Sequence, residues 1–234
     1  MIALFNSIFY EPLFNLLIWL TGVVGGHIGV AIILITIALR ALLYPFMNSS
    51  LVAQQSMKKL QPKINDLKKK HGANKEAFSR ELMGLYKEHN VNPFSSCLMV
   101  LVQLPILWAL YQALQVGLSD ASIPKEALYS FVQVPQIIIT SFLGVNLTHS
   151  NAVMAVIAGF TQFLQARSLP RSAPAAPADG GKDEKMMATM NTQMLYVFPI
   201  ITVVVGLQIP AGLSLYWAVS TILLTAQQWY VFRK

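Results

Sequence analysis

Apolar residues run through this chain in long, almost unbroken stretches, not in the strict alternation of a half-buried strand. Crossing about 30 Å of hydrocarbon takes roughly 20 mostly apolar residues. Five stretches approach that length: residues 25–46, 94–117, 151–166, 194–209 and 212–232. The third is short for a span and calls for residues from the apolar 142–147 side. Only Pro210-Ala-Gly212 separates the last two, which predicts a tight helical hairpin. Ahead of them, Phe5, Phe9, Leu13, Leu16 and Leu20 recur on one helix face, while Asn6, Ser7, Glu11 and Asn15 fall elsewhere on the wheel. Residues 1–22 therefore read as an amphipathic helix, interrupted by Pro12, lying in the membrane interface. A signal peptide fits less well: there is no basic leading region, Glu11 sits in the apolar stretch, and no small-residue cleavage site precedes Gly22.

Between the first two stretches the pattern changes. Residues 48–92 carry nine Lys or Arg and four Asp or Glu. Leu60, Ile64 and Leu67 make one narrow apolar stripe, Phe78, Leu82 and Leu85 another, and His71-Gly-Ala-Asn74 reads as the turn between them. The expectation is a charged αα-hairpin outside the membrane. Residues 168–190 mix prolines, glycines, alanines and charges and predict a flexible loop. Residues 118–150 read as a mixed connection with a short interfacial helix around 127–136. The fold class that follows is an all-α polytopic membrane protein. It comprises an interfacial helix (1–22), a five-span bundle (23–47 and 94–232), a cytoplasmic hairpin (48–93) and a flexible cytoplasmic loop (168–190).

Composition sharpens this. Of 234 residues, 55% are hydrophobic and 12% charged, too few charges to cover a water-soluble globule. Cys97 is the one cysteine, so an intrachain disulfide and paired-cysteine zinc motifs are excluded. The net charge of +7 would suggest nucleic acid in a soluble protein, but here its distribution decides. With five spans, fifteen of the 17 basic residues fall on one side, in residues 48–92, in 167–185 and at the C-terminus; Lys125 alone falls on the other, and Arg40 lies within a span. The positive-inside rule then puts the N-terminus outside and the C-terminus in the cytoplasm.

Arg40 is the one charge within a predicted span. Counting back from Asn48 places its Cα about 12 Å below the cytoplasmic boundary. An arginine at mid-helix costs about 2.5–3.5 kcal/mol on insertion scales. Two readings stand. The long side chain snorkels to the headgroups, or it faces a water-filled recess. The spans hold no Asp or Glu, so a buried salt bridge is unavailable and water or polar side chains must solvate the guanidinium. Candidates at compatible depth are Thr36 one turn before it, Gln103 in the second span, Gln162 in the third, and the amphipathic rings of Tyr216 and Trp217 in the fifth. Each glutamine taken alone also fits an interhelical hydrogen bond. The missing carboxylates argue against ion-coupled pumps. No zinc-protease, serine-hydrolase or nucleotide-binding motif is present, and His27, His71, His89 and His149 share no metal-ligand spacing. The chain is therefore not expected to be an enzyme or to hold a cofactor. Asn146-Leu-Thr148 fits the glycosylation pattern, a short match that recurs by chance.

Several motifs in series resemble the YidC/Oxa/Alb membrane protein insertases. They are Arg40 followed by Tyr44-Pro45; Leu60-Gln-Pro-Lys-Ile64 and Tyr86-Lys-Glu-His-Asn-Val-Asn-Pro93 bounding the hairpin; Cys97; Gln103-Leu-Pro105-Ile with Ala109-Leu-Tyr111; and Phe198-Pro199 followed by Pro210-Ala-Gly-Leu-Ser-Leu-Tyr-Trp217. The resemblance covers residues 10–234. It implies a five-span core around a hydrophilic groove that opens to the cytoplasm and the lipid and is closed on the outer side. The family's groove arginine falls on Arg40, which would attract the hydrophilic, often acidic, segment of a client. Thr36, Gln103, Gln162, Tyr216 and Trp217 fall on or near groove positions. The hairpin would recruit and guide clients.

The implied partners are newly made membrane proteins and membrane lipids, with the Sec translocon and the ribosome as further candidates. The implied location is the bacterial inner membrane. The large periplasmic domain of many relatives is missing, so the short form is expected, and without a long basic tail after Lys234 ribosome docking by that route is in doubt. Two other classes remain: an ion or small-solute channel, disfavoured by the apolar outer halves of the spans (28–35, 203–205), and a passive assembly scaffold.

Overall fold

The first helical stretch is Ile2–Phe5 (α1), a π-helical turn Asn6–Tyr10 and Glu11–Val23 (α2). This computed structural model describes residues 2–71, 74–89, 95–115, 123–168 and 193–233. Pro12 stands where the π-helical turn passes into α2, and the helical backbone runs through it, so it marks a junction and not a break. The buried stripe of α2 is Leu13, Phe14, Leu17 and Ile18; Leu16 and Leu20 flank it, half-buried. Asn15 departs from the polar face expected for it and is 2% exposed. Its Nδ2 donates to the carbonyls of Glu11 and Ala127, both at 2.8 Å, and its Oδ1 accepts from the Tyr129 amide at 2.7 Å. One side chain thus ties α2 to a loop more than a hundred residues away. Asn15→Leu would leave the Ala127 carbonyl and Tyr129 amide without this partner, at about 1–3 kcal/mol. Faster deuterium exchange at the Tyr129 amide, together with a lower unfolding temperature, is the expected result.

Gly25 and Gly26 turn the chain with φ of 69° and 89°, a region that side chains disfavour. A Cβ on Gly26 would also run into the Ile137 carbonyl. That closeness reflects a stitched end of the bundle. Ile139 N donates to Gly26 O (2.8 Å), Ile28 N to Ile139 O (3.2 Å), Gly212 N to Leu147 O (2.9 Å) and Ala211 N to His149 O (2.8 Å). The loop supplies the backbone acceptors that the buried start of the last helix lacks. Its path corrects two expectations. In place of a helix around 127–136 there is a three-residue 3-10 turn, Lys125–Ala127. Residues 142–147 do not extend the third stretch; they belong to a two-stranded hairpin, Ser141–Phe142 (β1) with Val145–Asn146 (β2). Backbone bonds to helix ends suit a β-branched, proline-containing segment better than a helix does.

Ile28–His71 (α3) is one helix of 44 residues, about 66 Å long, and it runs on through Asn48 without a break. Pro45 and Pro62 lie inside it. Lys75–Glu88 (α4) starts on Asn74, whose side chain accepts from the Ala77 amide at 3.1 Å. Leu60 and Ile64 of α3 bury against Phe78, Leu82, Leu85 and Tyr86, and Leu67 lies outside this cluster. His71 and Lys70 pair with Glu81 across the two helices at 2.9 and 3.5 Å. Gly72 and Ala73 of the expected turn, residues 90–93 of the closing motif and all but Ser168 of the expected 168–190 loop lie outside the described residues.

Ser95–Gln115 (α5), Ala152–Ser168 (α6), a π-helical turn Gln193–Val197 leading into Phe198–Gly206 (α7), and Ala211–Arg233 (α8) are the remaining helices among the described residues. Asn151 caps α6 by accepting from the amides of Val153 and Met154. Helix α6 packs on α7 and α8, and α8 on α3. The main core joins Phe14, Ile32, Ile35, Leu110, Leu114 and Leu213. Outward-facing positions are apolar too: Val153, Ile157 and Phe160 of α6, Ile200 and Val204 of α7, and Ile222 of α8 are exposed. A helical protein apolar inside and out, its backbone satisfied within its own helices, suits lipid and not water. Among the described residues α3 is long and apolar enough to cross a membrane, and Leu195–Gly206 is a shorter apolar helix.

Candidate functional site

Two polar rows on α8 organise the interior toward the α3–α4 hairpin. Tyr216, Ser220 and Gln227 share a face directed at α3 and α5; Trp217 and Gln228 lie on the neighbouring face, directed at α6. The spacing of a helix dictates this, since positions four and seven apart stack on one side.

On the first face, Arg40 of α3 is partly buried and gives one whole edge of its guanidinium to Ser220. Nε donates to Ser220 Oγ at 3.0 Å and Nη2 at 2.6 Å. Nη1 is buried and has no hydrogen-bond partner among the described residues. Gln103 of α5 donates from Nε2 to the Tyr216 hydroxyl at 2.6 Å. Ser220 stands one turn after Tyr216 on this face. The hydrogen-bonded pairs Gln103–Tyr216 and Arg40–Ser220 thus lie side by side and join α5, α8 and α3. Below them, Gln227 donates to the Tyr44 carbonyl at 3.3 Å.

On the second face, Trp217 Nε1 donates to Gln162 Oε1 at 3.2 Å, and Gln162 donates onward to Gln165 at 3.4 Å. Ser168 donates to Gln228 Oε1 at 2.9 Å. Gln165 and Gln228 are 8% and 1% exposed.

The residues singled out in the sequence thus fall into two pairs plus Arg40: Gln103 with Tyr216, and Gln162 with Trp217. Thr36 is placed differently. It is fully buried, and its hydroxyl donates to the Ile32 carbonyl of its own helix. Beneath it Ile28, Ala31, Ile32 and Ile35 are all 0% exposed, and Leu110, Ala113 and Leu114 face them in the same core. The polar cluster therefore rests on a dry apolar floor toward the stitched loop. The sequence did not reveal Ser220, Gln165, Ser168 or Gln228. The available signal was spacing: Ser220 stands one turn after Tyr216, and Gln165 one turn before Ser168.

The ion pairs among the described residues lie in the α3–α4 hairpin, and none involves Arg40. The hydrogen-bond partner of the guanidinium among the described residues, the Ser220 hydroxyl, is neutral. No cluster of metal-ligating side chains occurs among the described residues. An open cavity of about 510 Å³ lies away from Arg40, at the loop end, lined by Trp19, Gly22, Val23, Phe131, Val134 and Pro135.

The model of the family described as "60Kd inner membrane protein" matches residues 19–234. Among curated proteins, the membrane protein insertase YidC of Magnetococcus marinus is 34% identical over 224 residues, covering 96% of this chain and 35% of that protein. The protein of the same name from Fusobacterium nucleatum is 33% identical over 211 residues, covering 89% of this chain and 88% of that protein. The one from Nitratidesulfovibrio vulgaris is 32% identical over 228 residues, covering 97% of this chain and 39% of that protein. The chain thus spans somewhat over a third of the length of two of these relatives and most of the length of the other.

Proposed function

The chain belongs to the 60Kd inner membrane protein family, the YidC/Oxa/Alb insertases, and from that premise we propose that it inserts client membrane proteins into the bacterial inner membrane. The observation that carries this reading is Arg40: a charge held among helices, without a carboxylate, with Nη1 unpaired among the described residues. A fixed cation in a wet recess lowers the cost of bringing a client's polar segment partway into hydrocarbon.

In this reading α3, α5, α6, α7 and α8 are the five spans, and the α3–α4 hairpin stands in the cytoplasm. The N-terminus is outside and the C-terminus inside, in line with the basic residues. The recess opens toward the hairpin and ends on Thr36 and the apolar floor. Arg40, Gln103, Gln162, Tyr216 and Trp217 line it. A client's acidic segment is drawn to Arg40. Its apolar segment then leaves along the exposed faces of α6 and α7 into lipid, where burial at roughly 25 cal/mol per Å² drives the step without nucleotide. Newly made membrane proteins are the clients; the Sec translocon and the ribosome are further partners by family likeness. The dry floor disfavours a through-channel.

Photocrosslinking tests the route. A photoreactive residue at position 103 or 217 is expected to capture a stalled nascent membrane protein, while one at the outward-facing Ile222 captures lipid and little client. Equal capture from all three positions would remove the recess from the account.

A further inference from the structure

The loop that stitches the end of the bundle departs from local preference twice at one residue. Two residues, Leu143 and Gly144, join β1 to β2, with φ of 50° and 79°. A two-residue hairpin turn with both φ positive is best made by Asn-Gly, because the Cβ of a leucine crowds the backbone there. Among the described residues Leu143 is the one non-glycine with a positive φ, and it is 84% exposed. Phe142 beside it turns the other way, onto Gly29, where a Cβ would overlap its ring. A strained backbone that holds an apolar side chain away from the protein is offset by nothing inside the fold, which points to a contact outside it.

Leu143 has company. Phe131 and Ile137 of the same loop are 75% and 70% exposed. Phe131 lines the open cavity together with Trp19 and Val23, themselves exposed on α2, and the Ile137 carbonyl lies against Gly26 just beyond that helix. Residues 127–148 contain no Lys, Arg, Asp or Glu, so this stretch offers no charge to a partner.

Depth identifies what covers these side chains. Residues 28–47 of α3 rise about 30 Å, roughly the thickness of the hydrocarbon. Residues 212–233 of α8 rise about 32 Å. With Asn48 and Arg233 at one boundary, Ile28 and Gly212 stand at the other. The loop is bonded to both, Ile28 N to Ile139 O and Gly212 N to Leu147 O. It therefore lies at the edge of the acyl chains, not above the headgroups. Its apolar side chains continue the lipid-facing surface that Val153 and Ile157 carry on α6. We propose that Phe131, Ile137 and Leu143 insert into the acyl chains of the leaflet away from the α3–α4 hairpin, so that lipid covers the apolar side of this loop. The loop is then held from two sides, by helix ends through its backbone and by lipid through its side chains. The inference rests on the reading of α3 and α8 as spans.

The test uses the full chain with Cys97→Ser and single cysteines labelled with a nitrobenzoxadiazole dye. Phe131→Cys, Ile137→Cys and Leu143→Cys probe the patch. Glu126→Cys, exposed in the same loop, is the water reference, and Ile222→Cys, on an exposed face midway along α8, is the lipid reference. Each chain is reconstituted alone in phosphatidylcholine vesicles, with lipids carrying a nitroxide either high or low on the acyl chain, and iodide is added to the water. The three patch labels are expected to be quenched by the high nitroxide and to show iodide quenching about five-fold weaker than the label at 126, because an anion is kept out of hydrocarbon. The label at 222 is expected to respond to the low nitroxide. Positions 126 and 131–143 share one loop, so the orientation of the chain in the vesicle affects them equally. Unfolding temperatures compare each labelled chain with the unlabelled one, and a label that disturbs the fold at one patch site leaves two sites to decide.

Iodide quenching at the patch as strong as at 126, with 222 in lipid, overturns the proposal and makes the patch a surface for another protein. A label at 222 that ignores the low nitroxide overturns the span reading itself, and the proposal falls with it.

Discussion

Arg40→Glu is expected to stop insertion of clients with acidic translocated segments, at a cost of 100-fold or more in initial rate. Two unit charges about 5 Å apart interact by roughly 3 kcal/mol at an effective dielectric of 20. Reversing the sign replaces that attraction by a similar repulsion, and screening by water in the recess still leaves a swing of about 3 kcal/mol. Arg40→Ala removes only the attraction and is expected to cost about ten-fold. Arg40→Lys retains the charge, so it should keep most of the activity toward acidic clients and most of the preference of aspartate over asparagine. Vesicles reconstituted with each variant, scored by protease protection of the client tail, provide the measurement. A client with an uncharged tail is the reference for damage to the fold. Full activity of Arg40→Glu toward the acidic client would eliminate the electrostatic attraction from the mechanism.

The apolar stretches and the arginine within the first of them were legible in the sequence because hydropathy and charge are properties of single positions summed over a window. Continuity was not. Hydropathy drops at Asn48, which marks a boundary for a reader of spans, but the backbone responds to helix propensity, and the Leu, Ala, Gln, Met and Lys residues after Asn48 favour helix as much as those before it. Hence α3 crosses the boundary as one element. The 128–149 segment misled in the opposite direction. Its apolar residues suggested an interfacial helix, yet many are β-branched and Pro135 and Gly144 interrupt them. Its structure is set by the bare helix ends of α3 and α8 that its backbone satisfies, partners more than 60 residues away in either direction. Asn15 and Ser220 share this cause. Each is an ordinary polar residue locally, and each acquires its role from a partner 112 or 180 positions distant.

Gly159→Leu is expected to be the most damaging single substitution to the bundle itself. The α6 face carrying Ala155 and Gly159 meets α7 with almost no side chain between the backbones, the small-residue packing that membrane helices use in place of a hydrophobic driving force. A Cβ on Gly159 would overlap Val203 Cγ2 and lie 2.9 Å from the Pro199 carbonyl oxygen. Four residues away a Cβ on Gly206 would lie 2.8 Å from Ala155 Cβ, so the two helices cannot tilt to make room at one end without closing at the other. Val203 can change rotamer, but the Pro199 carbonyl is backbone and moves only if α7 moves. Overpacking of this kind costs about 1–3 kcal/mol for small additions and more for large ones. Gly159→Ala should therefore lower the unfolding temperature in detergent by roughly 3–10 °C, taking about 2–4 °C per kcal/mol for a chain of this size, and Gly159→Leu should lower it further. Val203→Ala in the Gly159→Ala background should recover part of the loss by removing the side-chain overlap, and leave the part due to the carbonyl. Because α7 is only nine residues long and α6 is its main support, its separation should also expose its amides to exchange before the rest of the bundle unfolds. Unfolding of Gly159→Leu at the wild-type temperature would mean that α6 and α7 are not held at this distance.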